Sequence, residues 1–240
     1  MISKKVISDI VSKYSLGNNI EKVKGVISDK ELRINFINDS KNLVGNVGYK
    51  KEVGLKKGDY GIFNTSQLIK CLNILDGDIL IDSTNSKLNI ADTNYDIKFN
   101  LADPAIIPNV PEVNNSDQPS ASFEINDEFI MRFVKSKDAL SELDIFTIET
   151  REGLNGEELV FKVGTDITNT IEFTVNAAIN ESFSPVPFDS NLFKEILKAN
   201  RTYETGKIHI NKDGLLDANF TFDDDFSYTN YYLVRKQENN

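Results

Sequence analysis

The sequence predicts an α+β protein of two similar domains, each with two helices packed on antiparallel sheet, and three observations lead to this prediction. Helical and strand-like periodicities alternate in the order helix, strands, helix, strands, and that order occurs twice. Four of the six prolines fall between residues 102 and 120, near the middle of the chain. A chain of 240 residues is also long enough for two compact domains of about 120 residues each.

Two helices are predicted in the first half. Over Ile2–Tyr14 and over Thr65–Leu75, apolar residues recur every three or four positions, which is the spacing of one helix face. Asn64 or Thr65 is the predicted N-cap of the second helix, because either side chain can accept a hydrogen bond from a free backbone amide. Gly58–Gly61 is interpreted as a turn. Apolar runs between turn-forming residues predict strands at Glu31–Ile37, Leu43–Tyr49, Asp78–Asp82, Leu88–Asp92 and Tyr95–Leu101.

The proline-rich segment after the first half is predicted to be an extended connector. Pro104, Pro108, Pro111 and Pro119 disfavour a helix or a central strand, since proline lacks an amide donor. The predicted division is therefore a first domain of residues 1–103, a connector of residues 104–120 and a second domain of residues 121–240.

The second half repeats the pattern of the first. Helical spacing covers Asp127–Leu140 and Asp189–Asn200, and Asp189 or Ser190 is the predicted cap of the latter. That helix begins with Phe188-Asp189-Ser190-Asn191, which is similar to Phe63-Asn64-Thr65-Ser66 of the first half. The similarity and the repeated element order indicate an internal duplication. Strands are predicted at Leu143–Thr150, Glu158–Val163, Thr170–Asn176, Lys207–Asn211, Leu215–Phe222 and Ser227–Arg235, with a hairpin turn at Lys212-Asp213-Gly214.

The charge distribution is uneven along the chain. A net charge of -10 and a pI of about 4.7, taken alone, argue against a nucleic-acid-binding protein. The polar faces of the four predicted helices are nevertheless mostly basic, while acids are common in strands and turns. An amphipathic helix often has a solvated, lysine-rich face, but several such helices in an acidic chain favour a surface that contacts phosphates without reading bases. The candidate DNA-facing residues are Lys4, Lys5, Lys13, Lys70, Arg132, Lys135, Lys137, Lys194, Lys198 and Arg201.

Short motifs add to the repeated architecture. Ile90-Ala91-Asp92 is followed by Ala102-Asp103-Pro104 just before the connector, and the last strand contains Tyr231-Tyr232-Leu233. With the two similar domains and the central connector, these motifs resemble DNA sliding clamps. The first two are similar to the clamps of T-even-type bacteriophages, and the third to the ending of the more distant proliferating cell nuclear antigen. The element order covers nearly the whole chain.

The resemblance implies a non-enzymatic ring with no cofactor and no metal. Three identical two-domain subunits would form six domains around duplex DNA, with the helices lining the hole. Such a ring confers processivity in DNA replication because it is linked topologically to DNA, so its contacts with phosphates should be loose. The implied partners are DNA, an ATP-driven clamp loader and the replicative DNA polymerase.

The resemblance also implies a site for a short C-terminal peptide of the polymerase, in an apolar pocket beside the connector. An alternative, which does not exclude the first, is that Ile106 and Ile107 fix the connector to its own domain. By position, the pocket residues would be Ile106, Ile107, Pro108, Val110, Tyr232 and Val234.

Two other functional classes stay open. An acidic, β-rich phage structural or assembly protein would have a similar composition but no DNA-dependent behaviour. An enzyme would need a convergent polar site, and no such constellation is evident. His209 and Cys71 are interpreted as structural, and Asp223–Asp225 as a solvated turn. With one cysteine, no signal-peptide pattern and no apolar run of membrane-spanning length, the expected location is the cytoplasm, that of the host cell if the protein is viral.

Overall fold

A computed structural model describes residues 2–50, 53–84, 86–113, 118–154, 156–223 and 227–236. The chain divides into two compact units. The first contains Met1–Pro111 together with Phe222–Thr229, and the second contains Glu112–Thr221 together with Asn230–Asn240. The boundary between the two units, after Pro111, falls inside the segment predicted as the connector. The stretch Phe222–Thr229 near the C-terminus belongs to the first unit.

Among its described residues, the first unit contains two helices and eight strands of its own. The helices are α1 (Lys4–Ser15) and α2 (Thr65–Asn73), and a single 3-10 turn follows the last strand at Pro104–Ile106. One sheet has the order β1-β6-β7-β8, and β4, β3, β2 and β5 are successive neighbours in a second. The strands are β1 (Ile2–Ser3), β2 (Val23–Ile27), β3 (Leu32–Ile37), β4 (Leu43–Tyr49), β5 (Gly58–Ile62), β6 (Asp78–Ser83), β7 (Lys87–Ala91) and β8 (Asp96–Asn100).

The second unit follows the same plan. Its helices are α3 (Asp127–Ala139) and α4 (Ser190–Ala199). The strand orders are β12-β11-β10-β14 in one sheet and β13-β9-β15-β16-β17 in the other. The strands are β9 (Ala121–Glu124), β10 (Ile145–Gly153), β11 (Gly156–Val163), β12 (Ile171–Val175), β13 (Ala178–Ile179), β14 (Val186–Asp189), β15 (Thr205–Asn211), β16 (Leu215–Thr221) and β17 (Ser227–Val234).

The architecture confirms the predicted fold class. Each unit has two helices packed on sheets, and every strand pairing described in the structure is antiparallel. The prediction of a turn at Gly58–Gly61 was wrong, because these residues form most of β5. The first helix begins at Lys4 rather than Ile2, since Ile2 and Ser3 pair with β6 and Ser3 caps the helix. The strands β2, β9, β13 and β14 were missed.

The two units start their second helices in the same way. Asn64 caps α2 by accepting from the amide of Gln67, and Asp189 caps α4 by accepting from two amides. The next residue in each case is fully buried. The Thr65 hydroxyl donates to the Glu21 carbonyl over 3.0 Å, and the Ser190 hydroxyl donates to the Leu143 carbonyl over 3.0 Å. In both similar tetrapeptides, therefore, the second residue caps the helix and the hydroxyl of the third fixes the helix start to another segment of the unit.

The start of the connector is held by the two motif residues Ala102 and Asp103. The Ala102 amide donates to the Gly61 carbonyl over 2.8 Å. The Asp103 carboxylate accepts from the Ala105 amide over 2.9 Å and so begins the 3-10 turn. In the other motif, the Asp92 carboxylate accepts from the amides of Asp76, Asn94 and Tyr95, and these hydrogen bonds lower the pKa of Asp92. Both motifs thus have a structural explanation.

The cores of the two units differ in composition. In the second unit, phenylalanines pack edge-on and stacked around α3. The ring centroids of Phe133 and Phe193 lie 4.7 Å apart, and those of Phe133 and Phe146 lie 4.9 Å apart. The first unit has a mainly aliphatic core that retains an apolar cavity of about 70 Å³, and Gly25 is among the residues lining it.

We expect Gly25→Ala to raise the free energy of unfolding by about 0.5–1 kcal/mol, by restricting the unfolded chain. A methyl group at Gly25 would lie 3.7 Å from the Leu32 side chain and 3.8 Å from that of Ile34, which is ordinary contact. The matched control is Gly61→Ala on the neighbouring strand β5, where a methyl group would lie 2.6 Å from the Ala102 carbonyl oxygen. This variant should lose about 1–3 kcal/mol. Urea unfolding followed by circular dichroism measures both, and a lower midpoint for Gly25→Ala would contradict the expectation.

Candidate nucleic-acid interface

The basic residues on the helices of the first unit have different surroundings. Lys5 on α1 and Lys70 on α2 are exposed, and no acidic partner is found for either among the described residues. The half-buried Lys4 donates from Nζ to the Leu75 carbonyl over 2.5 Å. Its ammonium group therefore satisfies the backbone after α2, while Lys5 and Lys70 are available to an anionic partner.

The structure corrects the expectation that Lys13 lies on the exposed face of α1. Only 3% of this residue is exposed. Its ammonium group forms an ion pair with Asp9, one turn earlier, and lies 4.4 Å from the centroid of the Phe222 ring. A cation held against an aromatic face and paired with a carboxylate stabilises the unit and cannot reach a phosphate without leaving both.

On α3 of the second unit, Arg132 and Lys135 are exposed and Lys137 is not. Arg132 forms an ion pair with Glu128, one turn earlier on the helix. Lys137 is only 2% exposed, and its ammonium group donates to the Ser141 carbonyl over 2.7 Å. Burial and the nearby Lys194 charge lower the pKa of Lys137. The expectation of a DNA-facing Lys137 is therefore corrected, since this lysine satisfies the carbonyl groups after α3.

Lys194, Lys198 and Arg201 form a basic stripe along α4, and acidic residues partly neutralise it. The half-buried Lys194 forms an ion pair with Asp138 at the end of α3. The exposed Lys198 lies 3.4 Å from the carboxylate of Glu195 on its own helix. Arg201 follows the end of the helix and is exposed, without an acidic partner among the described residues. Of the ten candidate residues, the exposed ones are Lys5, Lys70, Arg132, Lys135, Lys198 and Arg201.

The residues predicted for the partner-peptide pocket also divide by exposure. In the first unit, Ile107 is buried against Gly61 and so fixes the start of the connector, whereas Ile106 is 61% exposed. Pro108 is exposed and Val110 is half-buried. In the second unit, Tyr232 is half-buried and Val234 is exposed. The burial of Ile107 agrees with a connector fixed to its own domain, and the peptide pocket stays a prediction.

The residues that sequence reasoning set aside are mostly structural. His209 of β15 faces Asp217 of β16, with 3.5 Å between the imidazole Nδ1 and a carboxylate oxygen. This pair was missed because its members are eight positions apart and meet only across the hairpin. Cys71 is half-buried, less enclosed than the predicted core thiol. Asp223 is exposed, while Asp224 and Asp225 lie outside the described residues.

Comparison with solved structures identifies the fold. The crystal structure of proliferating cellular nuclear antigen from Entamoeba histolytica superposes with a TM-score of 0.74 at 18% identity, covering 98% of this chain and 96% of that one. PCNA of A. fulgidus, solved with the C-terminal region of FEN-1 bound, superposes with a TM-score of 0.76 at 13% identity, covering 100% and 98%. The chain has the sliding-clamp fold. No protein-family model and no curated protein matches the sequence.

The clamp fold accounts for the repeated plan of the two units. The superposition covers nearly the full length of both solved chains. Among the described residues, none of the helices has the length and apolar character needed to cross a membrane.

Proposed function

We propose that the protein is a DNA sliding clamp that encircles duplex DNA and confers processivity on a replicative DNA polymerase. The observation that carries this proposal is the clamp fold over 98% of the chain. Support comes from the exposed cations Lys5, Lys70, Lys135 and Arg201 on or beside the helices of a chain whose net charge is -10. Long cationic side chains without base-reading partners suit a loose, sequence-independent contact with phosphates.

We further propose a ring of three copies, supported by the repeat of the sheets. In the first unit, Ser227–Thr229 lies beside β4, and Tyr228 packs on Gly48 of that strand. By sheet order, β12 is the counterpart of β4, and β8 is the counterpart of the last strand, β17. Neither β8 nor β12 has a further strand beside it in the described part of the chain. The equivalent pairing between copies joins β8 of one to β12 of the next.

The side chains of the two edge strands are compatible with such pairing. The exposed Lys98 of β8 and Glu172 of β12 have opposite charges, and Glu172 also lies 3.1 Å from Arg151 of its own unit. Beside β12 lies a groove of about 240 Å³ whose apolar lining includes Phe129, Phe173 and Val175. Because β8 and β12 are different surfaces, their contact is head-to-tail and closes into a ring when the rotation per copy allows it.

The proposed partners follow from the same account. A polymerase C-terminal peptide is the proposed ligand of the connector surface at Ile106, which is 61% exposed. An ATP-driven loader would open the ring. The motifs Ile90-Ala91-Asp92 and Ala102-Asp103-Pro104 favour a clamp of the T-even-type bacteriophage kind. The protein acts as a scaffold and catalyses no reaction in this account.

Light scattering over a range of protein concentrations tests the ring. The expected species has a mass of about 81 kDa, three times the 27.0 kDa of one chain, and dissociates on dilution. A strict monomer at high concentration would contradict the proposal and favour the structural-protein alternative.

A further inference from the structure

Asp138 is an acidic residue placed among the basic residues of the second unit. It lies in the last turn of α3, and its carboxylate forms an ion pair with Lys194 of α4. The hydrogen bond from Lys194 lowers the pKa of Asp138, and the charges of Lys198 and Lys137 act in the same direction. One carboxylate therefore neutralises part of the positive charge of three lysines, two of which belong to the basic stripe of α4.

This ion pair differs from the others on the helices. The pairs Lys13–Asp9, Arg132–Glu128 and Lys198–Glu195 each join residues three or four positions apart, an arrangement that supports the helix itself. The Asp138–Lys194 pair instead joins two helices. Its acid sits at the C-terminal end of α3, where the helix dipole disfavours a negative charge. Local helix stability therefore does not explain an aspartate at this position.

The Asp138–Lys194 pair is close enough to solvent to act on a bound polyanion. The Asp138 side chain is 56% exposed and that of Lys194 is 21% exposed. A phosphate approaching α4 would meet a carboxylate beside Lys194 rather than a free ammonium group. With Asp138 neutral, no carboxylate of α3 would hold the Lys194 ammonium group, which would add to the positive charge of Lys198 and Arg201.

We propose that Asp138 is an affinity-limiting residue that holds the Lys194 ammonium group and so keeps the contact of α4 with DNA weak. This inference rests on the proposed function. A ring that is retained by topology gains nothing from tight phosphate contacts, because each additional contact slows its movement along the duplex. Asp138 contacts Lys194 and weakens DNA binding in two ways. It holds the Lys194 ammonium group away from the phosphates, and its own negative charge repels them.

The test is the salt dependence of binding to a short fluorescent duplex of mixed sequence, measured by anisotropy. Asp138→Asn should bind more tightly than the wild type and lose its affinity more steeply with salt. One additional phosphate contact changes the affinity ratio between about 50 and 200 mM salt by roughly three- to fourfold.

The matched control is Asp59→Asn in the first unit. Asp59 is 46% exposed and accepts from Lys24 over 2.7 Å, but the two residues lie on strands β5 and β2, away from any helix. This variant has the same change in net charge and also releases one lysine, so it reports both effects at a site on strands rather than on helices. Its duplex affinity and salt dependence should stay within twofold of the wild type, roughly the effect expected of screened charge.

A double-mutant cycle assigns the effect to Lys194. Lys194→Gln should cancel most of the gain in the Asp138→Asn background and should have a smaller effect in the wild-type background. Equal effects in both backgrounds would overturn the role of the ion pair.

The outcomes separate this inference from the proposed function. If the wild type binds duplex and loses affinity on charge reversal at Lys198 and Arg201, while Asp138→Asn changes only the urea midpoint, Asp138 is a structural bridge and the inference alone fails. If the wild type shows no salt-dependent binding to the short duplex, the inference fails, while the proposed function fails only if the protein is also not retained on circular plasmid. A rise in affinity for Asp138→Asn that is absent in Asp59→Asn supports the inference.

Discussion

Replacing Ile97 with glutamate is expected to prevent the three copies from assembling. Ile97 is a half-buried residue of the edge strand β8, and its neighbour across the ladder, Ile90, is fully buried. Pairing of β8 with a second copy would enclose the new carboxylate without a cationic partner. An unpaired charge in that position costs about 3 kcal/mol per contact, which corresponds to roughly hundredfold weaker association. Light scattering at a fixed concentration should then find monomers in place of trimers.

The matched control for this variant is Leu80→Glu. Leu80 lies on β6, an interior strand of the same sheet, and is 60% exposed. The Leu80→Glu variant introduces the same charge on the same sheet but away from the edge strand, so the trimer should persist. Circular dichroism should find both variants folded. A stable trimer of folded Ile97→Glu would mean that β8 is not part of the contact between copies.

Reversing the charge of Lys198 and Arg201 together is expected to weaken duplex binding strongly. Both side chains are exposed at the C-terminal end of α4. Each lost phosphate contact lowers the slope of log affinity against log salt by about 0.9, so two contacts lower it by roughly 1.8 for each subunit engaged. At low salt this corresponds to a loss of about tenfold or more in affinity. Because the residues are exposed, the free energy of unfolding should change little.

The control for charge is Lys87→Glu with Lys207→Glu. Both lysines are exposed on strands, in β7 and β15, and the net charge changes by the same amount. DNA that contacts the helices would be indifferent to these two positions apart from a small long-range effect. Equal loss of affinity in the two double variants would show that net charge matters and that the helix face does not.

Local rules in the sequence account for most of the fold. All four helices have their predicted places because apolar spacing fixes the buried face, and Asn64 and Asp189 are found as caps. Strands with alternating burial, such as the predicted Lys207–Asn211, were also found. The strand Gly58–Ile62 was not found, because its two glycines are typical of a turn. In the structure Gly61 instead allows the close approach of the Ala102 backbone, which the sequence does not reveal.

The candidate site was less predictable than the fold. Periodicity assigns a residue to a helix face, but the surroundings of that face depend on residues distant in sequence. Lys13 is covered by Phe222, and Lys194 is paired with Asp138, which lies 56 positions earlier. The buried Lys137 donates a hydrogen bond to the Ser141 carbonyl, just after its own helix. A sequence can therefore predict basic helix faces, while the number of free cations on them requires the structure.

Topological retention on DNA tests the central claim most directly. The protein is diluted and reconcentrated with a nicked circular plasmid, so that subunits can reassociate around it, and is then passed through a gel-filtration column. The salt concentration is about 0.3 M, where phosphate contacts are largely screened. We expect the protein to elute with the circular plasmid and to be released when one restriction cut makes the plasmid linear. Equal retention on circular and linear plasmid, or trimers that are retained on neither, would contradict a clamp that encircles DNA.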